Sequence, residues 1–121
     1  MAVEKFILSV LVNNDPGVLT RVSGLFARRS FNIDSLSVAE TQDPKISRIT
    51  ISATGDDYLK EQIVRHLEKL HDVKVVRVMD PERTVVRELM LIKIGANHEE
   101  RSHIQEAVNV FRAKVVDLAQ D

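Results

Sequence analysis

The hydrophobic period of this chain switches in a fixed order, strand, helix, strand, strand, helix, strand, over residues 5–80, and no other feature restricts its fold as much. Lys5 to Asn13 is β-rich, with Phe6, Leu8, Val10 and Val12 on one face and Ile7 and Leu11 on the other, as in a central strand. Val18, Leu19, Val22, Leu25 and Phe26 then recur at helical spacing. Asn32–Thr41 and Ile46–Gly55 read as strands joined by a turn at Gln42-Asp43-Pro44-Lys45. Leu36 and Val38 on the first, and Ile49, Ile51 and Ala53 on the second, alternate with polar residues. A second helix is expected from Asp57 to Leu70 on the stripe Leu59, Ile63, Leu67 and Leu70, and a fourth strand from Val73 to Asp80. All three prolines follow aspartate, at Asp15-Pro16, Asp43-Pro44 and Asp80-Pro81. Each pair marks a boundary, because the residue before proline is pushed out of the helical region.

Right-handed crossovers turn this order into a four-stranded antiparallel sheet with both helices on one face, the α+β ferredoxin-like βαββαβ plait. Residues 1–80 are expected to form it. After Pro81 the pattern restarts: a strand at Arg87–Gly95, a helix at Glu99–Phe111 with Ile104, Ala107, Val108 and Phe111 inward, and a strand at Lys114–Leu118. Leu8 lines up with Leu91, Phe26 with Phe111 and Asp34 with Asp117. Residues 81–121 therefore read as an incomplete second ferredoxin-like unit, a βαβ half that needs a partner to cover it.

Composition narrows the function classes. In 121 residues, 17 Lys plus Arg nearly cancel 18 Asp plus Glu, which gives no bulk electrostatic support for a nucleic-acid or membrane surface. The chain has no cysteine, hence no disulfide, thiolate metal site or thiol nucleophile. No apolar run approaches the roughly 18 residues of a membrane helix. The start Met-Ala-Val-Glu-Lys-Phe is unlike a signal peptide, so a cytoplasmic protein is expected.

Catalytic constellations fail on spacing. His98 and His103 are five apart, which misses the helical i, i+4 zinc pair, and His66 and His71 flank the end of the second helix, where a cation suits the dipole. Gly17, Gly24, Gly55 and Gly95 are dispersed, so no phosphate loop forms, and no serine sits in a nucleophile elbow. That argues against a small plait phosphatase, although Arg21 and Arg48 are present. An RNA-binding plait would need stacking aromatics, and Ser47–Thr54 contains none. Nothing supports an enzyme acting alone.

One segment has ligand-binding chemistry: Asn13-Asn14-Asp15-Pro16-Gly17-Val18-Leu19, between the first strand and first helix. Asp15 can cap that helix with Pro16 in its first turn. A helix N-terminus is a natural seat for a carboxylate, and Gly17 lets a ligand approach the backbone. Asn14 can donate to a carboxylate or accept from an ammonium. Asn32 and Ser37 add polar groups, while Leu19, Val38 and Ala39 can line a small apolar pocket. The same Asn-Asp-Pro-Gly also makes a plain turn and cap.

Ile7-Leu8-Ser9-Val10-Leu11-Val12, Asn14-Asp15-Pro16-Gly17-Val18-Leu19-Thr20-Arg21-Val22, Gly24-Leu25-Phe26, Asn32-Ile33-Asp34-Ser35-Leu36 and Ser47-Arg48-Ile49-Thr50-Ile51 resemble the acetolactate synthase small-subunit family. Arg87-Glu88-Leu89-Met90-Leu91-Ile92-Lys93 and Phe111-Arg112-Ala113 extend the resemblance toward the C-terminus. It implies an N-terminal ACT domain, an effector-binding form of the plait, and a regulatory role in branched-chain amino-acid biosynthesis. The implied partners are the catalytic large subunit, a branched-chain amino acid such as valine, and a second copy paired through the ACT domains. Neither nucleic acid nor membrane is implied. Thiamine diphosphate, FAD and Mg are expected only on the catalytic subunit, with no cofactor in this chain. Carried over by position, the effector residues are Asn14, Gly17, Val18, Leu19, Thr20, Asn32, Ser37, Ala39 and Gln62. Ser30 stands where glycine is common in the family, and Ser37 where threonine is common. A stand-alone ACT sensor of another biosynthetic enzyme is the alternative.

Overall fold

The computed structural model describes residues 3–119. Met1 and Ala2, which begin the segment judged unlike a signal peptide, and the last two residues of the expected second unit lie outside the described residues. The chain divides into two compact units, Met1–Val86 and Arg87–Asp121.

The first unit runs β1 (Glu4–Asn13), α1 (Val18–Arg28), β2 (Ile33–Glu40), β3 (Ile46–Gly55), α2 (Asp57–Glu68) and β4 (Val73–Val78), closing with a 3-10 turn at Pro81–Arg83. Its sheet has the order β2-β3-β1-β4 with every neighbour antiparallel. That is the plait expected from the periodicity. β1 and β3 pair without interruption from Glu4 opposite Gly55 to Asn13 opposite Ile46. Leu8, Val10 and Val12 therefore share a face with Ile51, Ile49 and Ser47. Val18, Val22, Leu25 and Phe26 of α1 and Ile63 and Leu67 of α2 close over that face and complete the core. Neither α1 nor α2 packs on the opposite face, and Ile7 and Leu11 are only half-buried there. Asp34 bulges β2, so that Asp34 bonds Thr54 and Ser35 bonds Ser52, both at 2.6 Å, on this open face.

The helix boundaries have local causes. Asp56 caps α2 by accepting from the Leu59 amide at 2.8 Å. The start of α1 differs from the sequence expectation: Asp15 caps nothing, and the helix begins two residues past Pro16 with Gly17 as its N-cap. Gly17 has a φ of 84°, which turns the chain sharply and leaves the helix without a side-chain cap. At the other end of α1, Phe31 N–H donates to Phe26 O (2.9 Å) and Ser30 N–H to Ala27 O (3.3 Å). This is a Schellman ending, sealed by the edge-to-face contact of the Phe26 and Phe31 rings 6.0 Å apart. It forces Ser30 to a φ of 58°, the left-handed conformation that glycine adopts most easily.

In the second unit the expected helix forms as α3 (Arg101–Val110), but the expected strands at Arg87–Gly95 and Lys114–Leu118 have no ladder. The reason is topological. Residues 87–118 repeat only the equivalents of β1, α1 and β2, and in the order β2-β3-β1-β4 those two strands never touch. A strand needs a hydrogen-bonded neighbour to be one. Accordingly Leu89, Met90, Leu91, Ile92 and Ile94 are exposed. Ile104 and Val108 of α3 are half-buried, but Phe111, expected to point inward, is 80% exposed. α3 ends in the same Schellman pattern as α1, with Ala113 N–H on Val108 O and Arg112 at a φ of 54°. The caps equate Ser30 with Arg112, and so Phe26 with Val108 rather than with Phe111.

Two stability experiments follow from the first unit. Ser30→Gly relieves the left-handed strain and is expected to stabilise the fold by about 1 kcal/mol, measured by urea unfolding. His66 in the last turn of α2 lies 5.9 Å from the Phe31 ring. Partial burial first, then the positive charges of Arg29 and Lys69, hold its imidazole below its ordinary 6.5. The direction is opposite to the one expected for a cation at the end of a helix. Because its pKa is depressed on folding, stability is fully present above the unfolded pKa and declines as pH falls through the folded one. Urea midpoints at about pH 7.5 and about pH 5 should drop further for the wild type than for His66→Gln.

A candidate ligand site at the start of the first helix

β1 ends beside the β2–β3 hairpin because Asn13 pairs with Ile46. The chain leaving β1 is fixed to that hairpin at once: Asn14 N–H donates to Lys45 O at 2.8 Å. The hairpin is itself rigid, with Thr41 Oγ1 donating to Ile46 O and Lys45 N–H to the Asp43 carboxylate. Asn14 Nδ2 donates to Pro44 O at 2.9 Å and to Glu40 Oε1 at 3.1 Å. Both partners are acceptors, so the amide nitrogen must face them and Oδ1 is left to accept. Of the two roles open to Asn14, the structure favours receiving a proton donor.

Between this loop, α1 and the sheet lies a cavity of about 70 Å³, lined by Val12, Asn13, Asn14, Asp15, Val18, Leu19, Val38, Ser47 and Ile49. Val18 forms part of the buried floor, whereas Leu19 and Val38 are nearly half exposed at the mouth. On one side is the N-terminus of α1, whose amides no side chain caps. It offers donors and a partial positive charge to an anion. Val12, Val18, Leu19, Val38 and Ile49 make the apolar part of the wall, so a small ligand with an anionic end and a branched aliphatic end matches it.

Of the residues expected from sequence, Asn14, Val18, Leu19 and Val38 meet at the cavity. Gly17 is the adjoining N-cap, and Thr20 lies in the exposed first turn of α1. Ser37 and Ala39 do not join them within one chain. Ser37 pairs with Thr50 and Ala39 with Arg48 on the open face, whereas Val38 pairs with Ile49 on the covered one. Val38 and Ala39 therefore cannot line one pocket, since neighbours in a strand point to opposite faces. Asn32 precedes Ile33, which pairs with Ala53 and through it with Phe6. That is seven residues along β1 from Asn13, roughly 24 Å at the rise of a strand. Gln62 is half-buried on α2 and does not line the cavity. Sequence reasoning missed Ser47 and Glu40, which face the cavity side at the very end of β2–β3 pairing. Their alternation with Ile49 and Val38 was the available signal.

On the far side of the loop Arg21 pairs with Asp72, Nε to Oδ2 at 2.6 Å, while Asp72 O accepts from Asn13 N–H. The helix start is thus braced from both edges of β1. Among the described residues no group of three or more His, Asp or Glu could hold a metal ion, and no helix is long and apolar enough to cross a membrane.

Two family models match the chain: an AHAS small subunit-like ACT domain over residues 8–75, and the small subunit of acetolactate synthase over residues 87–121. A probable acetolactate synthase small subunit of Methanothermobacter thermautotrophicus is 48% identical over 122 residues, spanning 100% of this chain and 73% of that protein. The chain belongs to the acetolactate synthase small-subunit family. The crystal structure of the family's small subunit from Thermotoga maritima superimposes with a TM-score of 0.78 at 33% identity, covering 98% of this chain and 74% of that one. The ACT domain of a Chlorobium tepidum GTP pyrophosphokinase matches in fold alone, with a TM-score of 0.56 at 14% identity over 65% of this chain and 89% of its own.

Asn14→Asp tests the loop geometry in this family member. It sets a carboxylate against two acceptors and is expected to destabilise the fold by about 1 kcal/mol. Urea unfolding at neutral and at acid pH should show the loss shrinking once the new carboxyl is protonated.

Proposed function

We propose that this chain is the regulatory subunit that activates the catalytic large subunit of acetolactate synthase and makes it sensitive to feedback by valine or another branched-chain amino acid. The observation that carries this reading is the small apolar cavity at an uncapped helix N-terminus, in a chain of this family. The α-carboxylate lies at the start of α1, and the branched side chain lies against Val18, Leu19, Val38 and Ile49. Each methylene buried there separates ligands by only about 1–3 kcal/mol, so valine over alanine is a larger distinction than valine over isoleucine. Residues 1–80 bind the effector, and residues 81–121 belong to a second ferredoxin-like domain. The chain carries no catalytic group or cofactor of its own. Thiamine diphosphate, FAD and Mg act on the catalytic subunit, in the cytoplasm.

A second copy brings in the residues that one chain leaves apart. β2 is an edge strand, and an edge can add the same strand of a second copy about a two-fold axis. With that axis near Leu36 and Ser37, Asn32 of each copy lies beside the Glu40 end of the other. Asn32 of each copy then approaches the other's cavity, while Ser37 and Ala39 flank the dimer seam on the open face. Inhibition requires the effector to bind two conformations of the holoenzyme with different affinity.

Titrating valine into the chain mixed with a catalytic large subunit tests the reading. Activation followed by saturable inhibition is expected, and no effect on the rate at any valine concentration would overturn it. Gly17→Asp localises the site. A Cβ at Gly17 comes within 3.2 Å of the Arg21 guanidinium, on a backbone with positive φ, and the new carboxylate falls where the ligand's belongs. Valine affinity should fall at least about tenfold while the variant still associates with the large subunit.

A further inference from the structure

We propose that Glu40 is the residue that recognises the ammonium group of the ligand, which confines the site to α-amino acids and rejects the corresponding 2-hydroxy and 2-oxo acids. The inference rests on the cavity being an effector site, and it deepens that reading.

Three observations place Glu40 in this role. First, β2 alternation puts Glu40 on the same face as Val38, directly opposite Ser47, and both Val38 and Ser47 line the cavity. Glu40 is thus one strand repeat beyond the apolar wall, at the rim. Second, the carboxylate is oriented: Asn14, itself a lining residue, donates to Oε1 at 3.1 Å and leaves Oε2 free. The Asn14 Oδ1 beside it is a second acceptor. Together they form a pair of acceptors with net negative charge, which suits –NH3+, with its charge and three donors, better than an uncharged hydroxyl with one. Third, no ion pair among the described residues includes Glu40. The ion pairs among the described residues are Arg21 with Asp72 and Lys60 with Asp57.

The placement also has the right polarity. The uncapped N-terminus of α1 draws the carboxylate to one side of the loop, and Glu40 and Asn14 draw the ammonium to the other. The two groups of an α-amino acid hang from one carbon, so a reader must present both signs across a single loop. Asp15 is the other acid at the cavity, but it stands at the helix start, where the ligand carboxylate belongs. An ammonium bound there would compete with the helix for the same end of the ligand.

Glu40→Gln separates charge from structure, because glutamine keeps the oxygen that accepts from Asn14. Calorimetry on the full chain compares L-valine with (S)-2-hydroxy-3-methylbutanoate, which has the same carboxylate and side chain but no ammonium. The wild type should prefer valine by at least about tenfold, the worth of a hydrogen bond to a charged group. In Glu40→Gln that preference should collapse toward unity while hydroxy-acid affinity stays unchanged. Asp15→Asn should leave the preference intact. A retained preference in Glu40→Gln, an equal loss for both ligands, or a collapse in Asp15→Asn instead would each overturn the assignment while leaving the effector site standing. A wild type that binds neither ligand overturns both the site and the role of Glu40.

Discussion

The ten-residue ladder between β1 and β3 is the constraint on which the first unit depends. Because it runs without a slip, it fixes which side chains meet the helices and which face away. A shift of one residue would turn Leu8, Val10, Val12, Ile49 and Ile51 out of the core together. The same ladder decides where the strands end. It sets Asn13 against Ile46, and so delivers the loop leading to α1 beside the hairpin leading out of β2. The cavity is a consequence of that meeting. Gly17 then bends the chain into α1 at once, before any side chain can cap the helix, and the site acquires its positive wall.

The order of strands also explains the second unit. A plait is two interlocked βαβ halves, in which the gap between the two strands of one half is filled by the central strand of the other. α3 forms on local grounds, with its own Schellman ending, because a helix satisfies its backbone internally. Strands cannot do so. Arg87–Gly95 and Lys114–Leu118 carry the right side chains and lack the neighbour, so their apolar residues stand exposed. Helical signals depend on the sequence within a few turns, and strand signals on something elsewhere.

That difference marks what could be read from the sequence. All six elements of the first unit were legible, since their periods are long and clean, and every boundary came within two residues. The site was legible as a place, through Asn-Asp-Pro-Gly, but less so as a geometry. The position of the helix start turned on a single φ at Gly17, which sequence does not specify. Val38 and Ala39 were grouped by their apolar character, although the pleat sends them to opposite faces. Phe111 matched Phe26 in type, but the helix caps align Val108 with Phe26. For Glu40 the strand alternation gave a face but not a contact, because its bond to Asn14 joins residues 26 apart in the chain and 3.1 Å apart in space.

A ligand at this position acts on the joint between two pieces of the chain that the sheet brings together but does not fuse. In the proposed binding mode its carboxylate engages α1 and its ammonium engages the end of β2. Binding therefore tightens the β1–α1 loop against the hairpin. Such tightening regulates a partner only if the partner favours one setting of the joint over another. By linkage, a catalytic subunit that prefers the loosened setting must weaken ligand binding by the same factor as the ligand weakens binding of that subunit. The effector affinity of the isolated chain and of the assembled enzyme should then differ, and the ratio of the two measures the coupling. An equal affinity in both would mean that the joint does not carry the signal, however tightly the ligand binds.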